Sequence, residues 1–247
     1  LFLYIVPVVC VTFAMALSML VKLIFRISAR LCIILAFVAL AQSCISLKSE
    51  YPDISYYRLN QEPSTYRNTA TISGTLQVRS FTAVDDVQTD QLLAMTDNNH
   101  VEKYYYHRWV SEGSQLLTDY FLVRLNNLKA FSGGVCTSST ILVPDFILEG
   151  HVLDMAAYNA PSGDKQSKEE NKVQVSIKIT LLKRTPGKVG KDIVLNKVFT
   201  QSLRRDNNSV ASIAPAFSKC LAKMTDQMMT EIQTSIAEYK MNPKKED

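Results

Sequence analysis

Residues 172–183, KVQVSIKITLLK, carry the strictest pattern in the chain. Val173, Val175, Ile177, Ile179 and Leu181 alternate with Lys172, Gln174, Ser176, Lys178 and Thr180. Successive side chains of a strand point to opposite faces, so one face here is wholly apolar and the other polar. Such a strand belongs to an antiparallel or mixed sheet that is covered on one side and open on the other. Pro186-Gly187 then turns the chain, and 192–203 returns as the partner strand.

The remaining elements build on that sheet. Strands are expected at 55–59, 75–84, 92–95, 101–109 and 146–155, the third and fourth joined as a hairpin by Asp97-Asn98-Asn99-His100. Residues 85–90 read as an acidic loop, and 156–171 as a long solvated one. Leu117, Phe121, Leu125 and Leu128 recur at helical spacing, so 114–130 is a helix, with Ser111 and Ser114 as capping hydroxyls and Gly133-Gly134 as its stop. Phe217, Leu221, Met224, Met228, Ile232 and Ile236 form a longer apolar stripe, giving a second helix over 209–239. Pro215 is tolerated there when Ser212 caps it, because first-turn amides have no helical partner. The expected fold is therefore α/β in two layers: a mixed, largely antiparallel sheet with both helices on one face.

The first 43 residues have a different character. The run from Leu31 to Ser43 is apolar and uncharged, follows Lys22, Arg26 and Arg30, and ends in small residues before Cys44. A cationic segment, a short apolar run and small residues make a secretory signal. A cysteine directly after Ser43 makes it similar to a bacterial lipobox, in which cleavage frees the cysteine amine and its thiol takes a diacylglycerol. The other reading is a transmembrane anchor with an incidental cysteine. Residues 1–20 are apolar as well, and the chain begins with Leu1; a start at Met19 gives a signal of ordinary proportions. The expected organisation is a targeting segment over 1–43, a lipidated tether over 44–54, one domain over 55–240 and a charged, disordered tail over 241–247.

Removing residues 1–43 leaves 204 residues, ample for one domain with a core. It also removes three basic and no acidic residues, so the net charge falls from +4 to about +1. That balance offers no electrostatic case for binding nucleic acid. Cys136 and Cys220 remain beside Cys44. An oxidising compartment permits a disulfide between them, and two separate small buried residues are the other reading.

Little in the chain reads as catalysis. His100, His107 and His151 are its three histidines, and it has no GxSxG elbow, Gly-rich phosphate loop, HExxH or Cys/His cluster at metal spacing. No cofactor is expected. The most distinctive stretch is Tyr104-Tyr105-Tyr106-His107-Arg108-Trp109. Regular alternation places Tyr104, Tyr106 and Arg108 on one face. His107 and Trp109 lie on the other, with Trp109 buried under helix 114–130. Tyr and Arg dominate interface energetics, so the first face is the candidate contact surface for a partner or a second copy.

The order of these pieces resembles the ABC-type transport auxiliary lipoprotein family, the PqiC-like component of MCE (mammalian cell entry) transport systems. The matching pieces are the lipobox at Cys44, Tyr56-Tyr57-Arg58-Leu59, Leu76-Gln77-Val78, and the strand ending in Tyr106-His107-Arg108-Trp109 before a Leu-rich helix. Asp145-Phe146-Ile147-Leu148-Glu149-Gly150 and the closing helix complete it, over roughly 44–237. The resemblance implies a non-catalytic, periplasm-facing lipoprotein working beside an MCE-domain protein, an ABC permease and an ATPase to move lipids or other hydrophobic molecules. It implies homo-oligomers too. Ile45, standing where Asp would favour retention, points to the outer membrane. Two other functions remain open from the residues alone: a lipid-anchored envelope hydrolase, and a structural envelope lipoprotein without a transport role.

Overall fold

A computed structural model describes residues 52–66, 71–96, 100–138, 143–160, 171–185 and 190–241, with Met19, Lys22, Arg26, Ser28 and residues 30–33. The chain divides into two units, Leu1–Pro52 and Asp53–Asp247. Every described residue before Pro52 is helical and exposed, and among the described residues no helix is long and apolar enough to cross a membrane. Cys44 and residues 45–50 lie outside the described residues. So do most of the targeting segment, the turns at Asp97-Asn98-Asn99 and Pro186-Gly187, residues 161–170 and the tail 242–247.

The second unit runs β1 Ser55–Tyr57, β2 Leu76–Val78, β3 Thr82–Ala83, β4 Gln91–Thr96, β5 His100–Trp109, α1 Gly113–Asn127, β6 Val135–Thr137, β7 Phe146–Tyr158, β8 Lys172–Arg184, β9 Lys191–Arg204 and α2 Ile213–Met241. Its nine strands form one mixed sheet. β7 is the spine. Along one edge it pairs antiparallel with β8, which pairs antiparallel with β9. Along the other edge it pairs parallel with β2 at Phe146, Ile147 and Leu148, with β3 at His151 and Val152, and with β4 at Ala157 and Tyr158. β6 extends the sheet beyond β2, and β5 then β1 extend it beyond β4. The antiparallel pairings are the long ones.

Both helices cover one face. The alternating residues of β8, Val173 to Leu181, are at most 1% exposed and share a single core with Leu117, Phe121 and Leu125 of α1 and Phe217, Leu221, Met224, Met228, Ile232 and Ile236 of α2. Full burial of each such aliphatic side chain contributes about 1.5–3 kcal/mol. Those two apolar patterns are thus the main cohesive force. Opposite the helices, Lys178 is exposed and Ser176 bonds Thr200 across the open face at 2.9 Å.

Several boundaries differ from expectation. The strand expected at 75–84 breaks into β2 and β3, because Phe81 leaves the sheet. Its amide donates to Thr118 Oγ1 on α1 at 2.9 Å, and its ring packs on Phe121 with centroids 5.3 Å apart. α1 begins at Gly113 without a side-chain cap, so neither Ser111 nor Ser114 caps it. It ends at Asn127 rather than at the glycines: Lys129 takes a left-handed φ of 49°, and Gly134 (φ 79°) turns the chain into β6. β6 was not expected, because three residues carry no readable period. The acidic loop contains a 3-10 turn, Asp85–Val87. β7 extends through 156–158, where a loop was expected. A 3-10 turn, Val210–Ser212, leads into α2 and leaves Pro215 in its first turn.

Gly150 of β7 leaves room for the Phe81 ring. A Cβ there would stand 2.6 Å from the Phe81 ring. Gly150→Ala should destabilise the domain by roughly 1–3 kcal/mol in denaturant unfolding. Adding Phe81→Leu should recover part of that loss, because the two side chains occupy one space.

Candidate functional site

The aromatic stretch lies on β5, and its geometry is set by a bulge. Neighbours Gln91 and Leu92 of β4 have Arg108 and Tyr104 as partners on β5, so Tyr105, Tyr106 and His107 have no partner on β4. A bulge inserts unpaired residues, bends the strand and resets the alternation beyond it. Simple alternation therefore fails here, and the two faces expected for this strand are corrected. Tyr104 is half-buried against the core, and its hydroxyl accepts from Asn159 Nδ2 at 3.3 Å. Tyr105 is 61% exposed.

The other members sort as follows. Tyr106 is half-buried and meets Tyr105 edge-on at 5.1 Å. Arg108 lies 5.5 Å from the Tyr105 ring and pairs with Asp90 at 3.1 Å. His107 Nδ1 shares a 3.0 Å hydrogen bond with the Tyr57 hydroxyl, and its ring meets Tyr104 edge-on at 6.2 Å. Trp109 is buried, and the ring it packs on is Phe217 of α2, at 5.6 Å, where a place beneath α1 was expected.

β1 completes the surface. It runs parallel to β5 with Tyr56 opposite Arg108 and Tyr57 opposite Trp109. Tyr57 goes toward the core and Tyr56 is 62% exposed. The outward set is therefore Tyr56, Tyr105 and Arg108. Its internal contacts are weak: a part-exposed ion pair contributes about 0–1 kcal/mol, and an exposed cation–π contact about 0.5–1 kcal/mol. The rings and guanidinium are thus free to exchange these contacts for others. Tyr56 and Tyr105 escaped the sequence reading, because the bulge that turns Tyr105 outward is imposed by β4, distant in sequence.

A second polar cluster ties the segment after β1 to the helices. Asp226 of α2 accepts from Ser64 Oγ at 2.6 Å, from Thr65 N and Oγ1 at 2.8 Å, and from Tyr66 N at 3.2 Å. Arg124 of α1, 4% exposed in its side chain, pairs with Asp226 at 3.2 Å and donates to the Glu62 carbonyl. Burial raises the Asp226 carboxyl, but the hydrogen bonds from Ser64 and Thr65, with the Arg124 charge, outweigh it and hold the group below its ordinary value. Tyr120, one turn before Arg124, is pushed up to about 12, chiefly by burial.

Two of the histidines bond to hydroxyls, His107 to Tyr57 and His151 to Thr82. His151 Nδ1 meets Thr82 Oγ1 at 2.7 Å, and His100 is exposed at the start of β5. Among the described residues no group of three His, Cys, Asp or Glu side chains is placed to hold a metal. Of the two readings of Cys136 and Cys220, the separate thiols are what the structure has: both are free, Cys136 half-buried and Cys220 buried. Cys220 is buried in α2, its Sγ donates to the Gln201 carbonyl at 3.3 Å, and burial pushes its thiol up to about 12.

No family model matches the chain, and no curated protein matches it. Solved structures do. Protein XCC0632 of Xanthomonas campestris, of the family DUF330, superposes with a TM-score of 0.62 at 14% identity, over 76% of this chain and 99% of that one. A structure described as an uncharacterized protein superposes with a TM-score of 0.53 at 16% identity, over 73% of this chain and 99% of that one. At these identities the likeness establishes the fold.

Two predictions follow from the geometry. Trp109→Ala should cost roughly 3–5 kcal/mol, whereas Tyr105→Ala should stay within about 0.5 kcal/mol. Denaturant unfolding of both variants checks this, and the reverse order would refute the bulge assignment. A carboxyl whose pKa is lowered by folding stabilises the fold above its unfolded pKa, and that contribution fades as pH falls through the folded value. Wild type should therefore exceed Asp226→Asn by on the order of 3 kcal/mol at neutral pH. The gap should close as the pH drops below about 4, measured as unfolding midpoints across pH.

Proposed function

We propose that this chain is a bacterial cell-envelope lipoprotein, anchored through an acylated Cys44 and facing the periplasm. It serves as a non-catalytic component of an MCE/ABC-type system moving lipids or other hydrophobic molecules. The observation that carries the reading is the pairing of its two most recognisable sequence pieces. Tyr56-Tyr57 and Tyr106-His107-Arg108-Trp109, far apart in sequence, lie side by side as β1 and β5 in parallel register. Their inward members, Tyr57 and Trp109, anchor the surface to the core, and their outward members Tyr56 and Arg108 form it with the adjoining Tyr105. Of the three residues read from the sequence, Tyr104 packs against the core, Tyr106 is half-buried beside Tyr105, and Arg108 stays in the surface proposed here with Tyr56 and Tyr105.

The partners in this reading are an MCE-domain protein, an ABC permease and an ATPase, with self-association through the same surface. Ile45 after the cysteine favours the outer membrane.

The test is purification of the tagged full chain from native membranes, with mass spectrometry of Cys44. The expected result is a diacylglyceryl group on Cys44, an unprocessed precursor for Cys44→Ala, and recovery of the MCE-domain protein that Tyr105→Ala with Arg108→Ala reduces. An acylated chain that recovers none of the three partners would make it a structural lipoprotein.

A further inference from the structure

In α2, Lys219 stands three and four residues before Ala222 and Lys223, and these stand four and three before Asp226, so the four share one face of the helix. That face is one wall of a cavity of about 230 Å³, which Pro63, Glu62 and Leu203 also line. The charges around it are unequal in their commitments. Asp226 is neutralised by Arg124 and saturated by Ser64, Thr65 and Tyr66. Lys219 and Lys223 are exposed and make no ion pair among the described residues. Glu62 offsets one of these two cations, which leaves the mouth of the cavity positive.

We propose that this cavity binds a phosphate group, held between the ammonium groups of Lys219 and Lys223. Lysines one helical turn apart have Cβ atoms about 5–6 Å apart, close enough for two flexible stems to converge on one tetrahedral anion, and an ammonium binds phosphate as a point charge. The volume limits what else enters. It equals about eight waters at roughly 30 Å³ each, below the roughly 300–1,000 Å³ of sites that enclose a whole small molecule. A headgroup with a short stem against Pro63, Leu203 and Ala222 fits, and the chains of a lipid would lie outside. The site stands on the cavity alone, so its failure would leave the lipoprotein reading untouched.

The test titrates the full chain, purified in non-ionic detergent, by calorimetry with inorganic phosphate and, separately, with dihexanoyl phosphatidylglycerol below its micelle concentration. Binding of either probe, weakened at least tenfold by Lys219→Gln with Lys223→Gln and unchanged by Lys178→Gln on the open sheet face, is the expected result. Tighter binding of the lipid identifies a headgroup as the source, and equal binding identifies the free anion. Both altered lysines are exposed, and an unchanged melting temperature checks that the variant is folded. No binding of either probe, or binding that the double variant retains, overturns the proposal.

Discussion

β7 is the strand on which the other pairings depend. Its thirteen residues give one edge to β8 over nearly the whole length. The other edge is divided among β2, β3 and β4, which offer two or three residues each. Strands that short cannot hold a register alone, because a few ladder bonds do not offset the entropy of ordering the chain. They persist because a long neighbour is already in place. The spacing along β7 also explains Gly150. The chain between β2 and β3 has to rise off the sheet, and the Phe81 ring fills the space a side chain at 150 would take.

The helix layer closes the structure from the other side. α2 lies on β8 and β9, α1 covers the region of β2, β3, β6 and β7, and a single apolar core joins them. Between the helices the Arg124–Asp226 pair is nearly dry, and its geometry also captures the 64–66 segment. Buried pairs of this kind contribute little compared with apolar packing, yet removing one partner is costly because the other charge is stranded. The segment leading from β1 is thus tied to both helices by polar contacts that hold a path rather than by a large buried area.

The aromatic surface illustrates how one irregularity can redirect a sequence motif. Without the bulge, Tyr105 and Trp109 would share a face, and the core would have to accommodate both rings. With it, Trp109 and Tyr104 turn inward while Tyr105 turns out beside Arg108. His107 then sits between Tyr57 and Tyr104 and braces β1 against β5. The outward rings stand on a strand held rigidly from beneath, which lowers the entropic cost of forming contacts there.

What the sequence determined by itself was whatever repeats within a single element. The period-two pattern of 172–183 and the helical stripe from Phe217 to Ile236 are both buried as read, and they fix the two-layer class with its helices on one face. Apolar periodicity carries that information because burial is decided residue by residue along one strand or helix. The tertiary structure decided what depends on a neighbour distant in sequence. β6 exists because β2 is there to pair with it, and the end of α1 at Asn127 follows from Lys129 turning the chain before the glycines are reached. The bulge in β5 is the sharpest case: the partner offered by β4, and no property of Tyr105 itself, determines which tyrosine meets solvent.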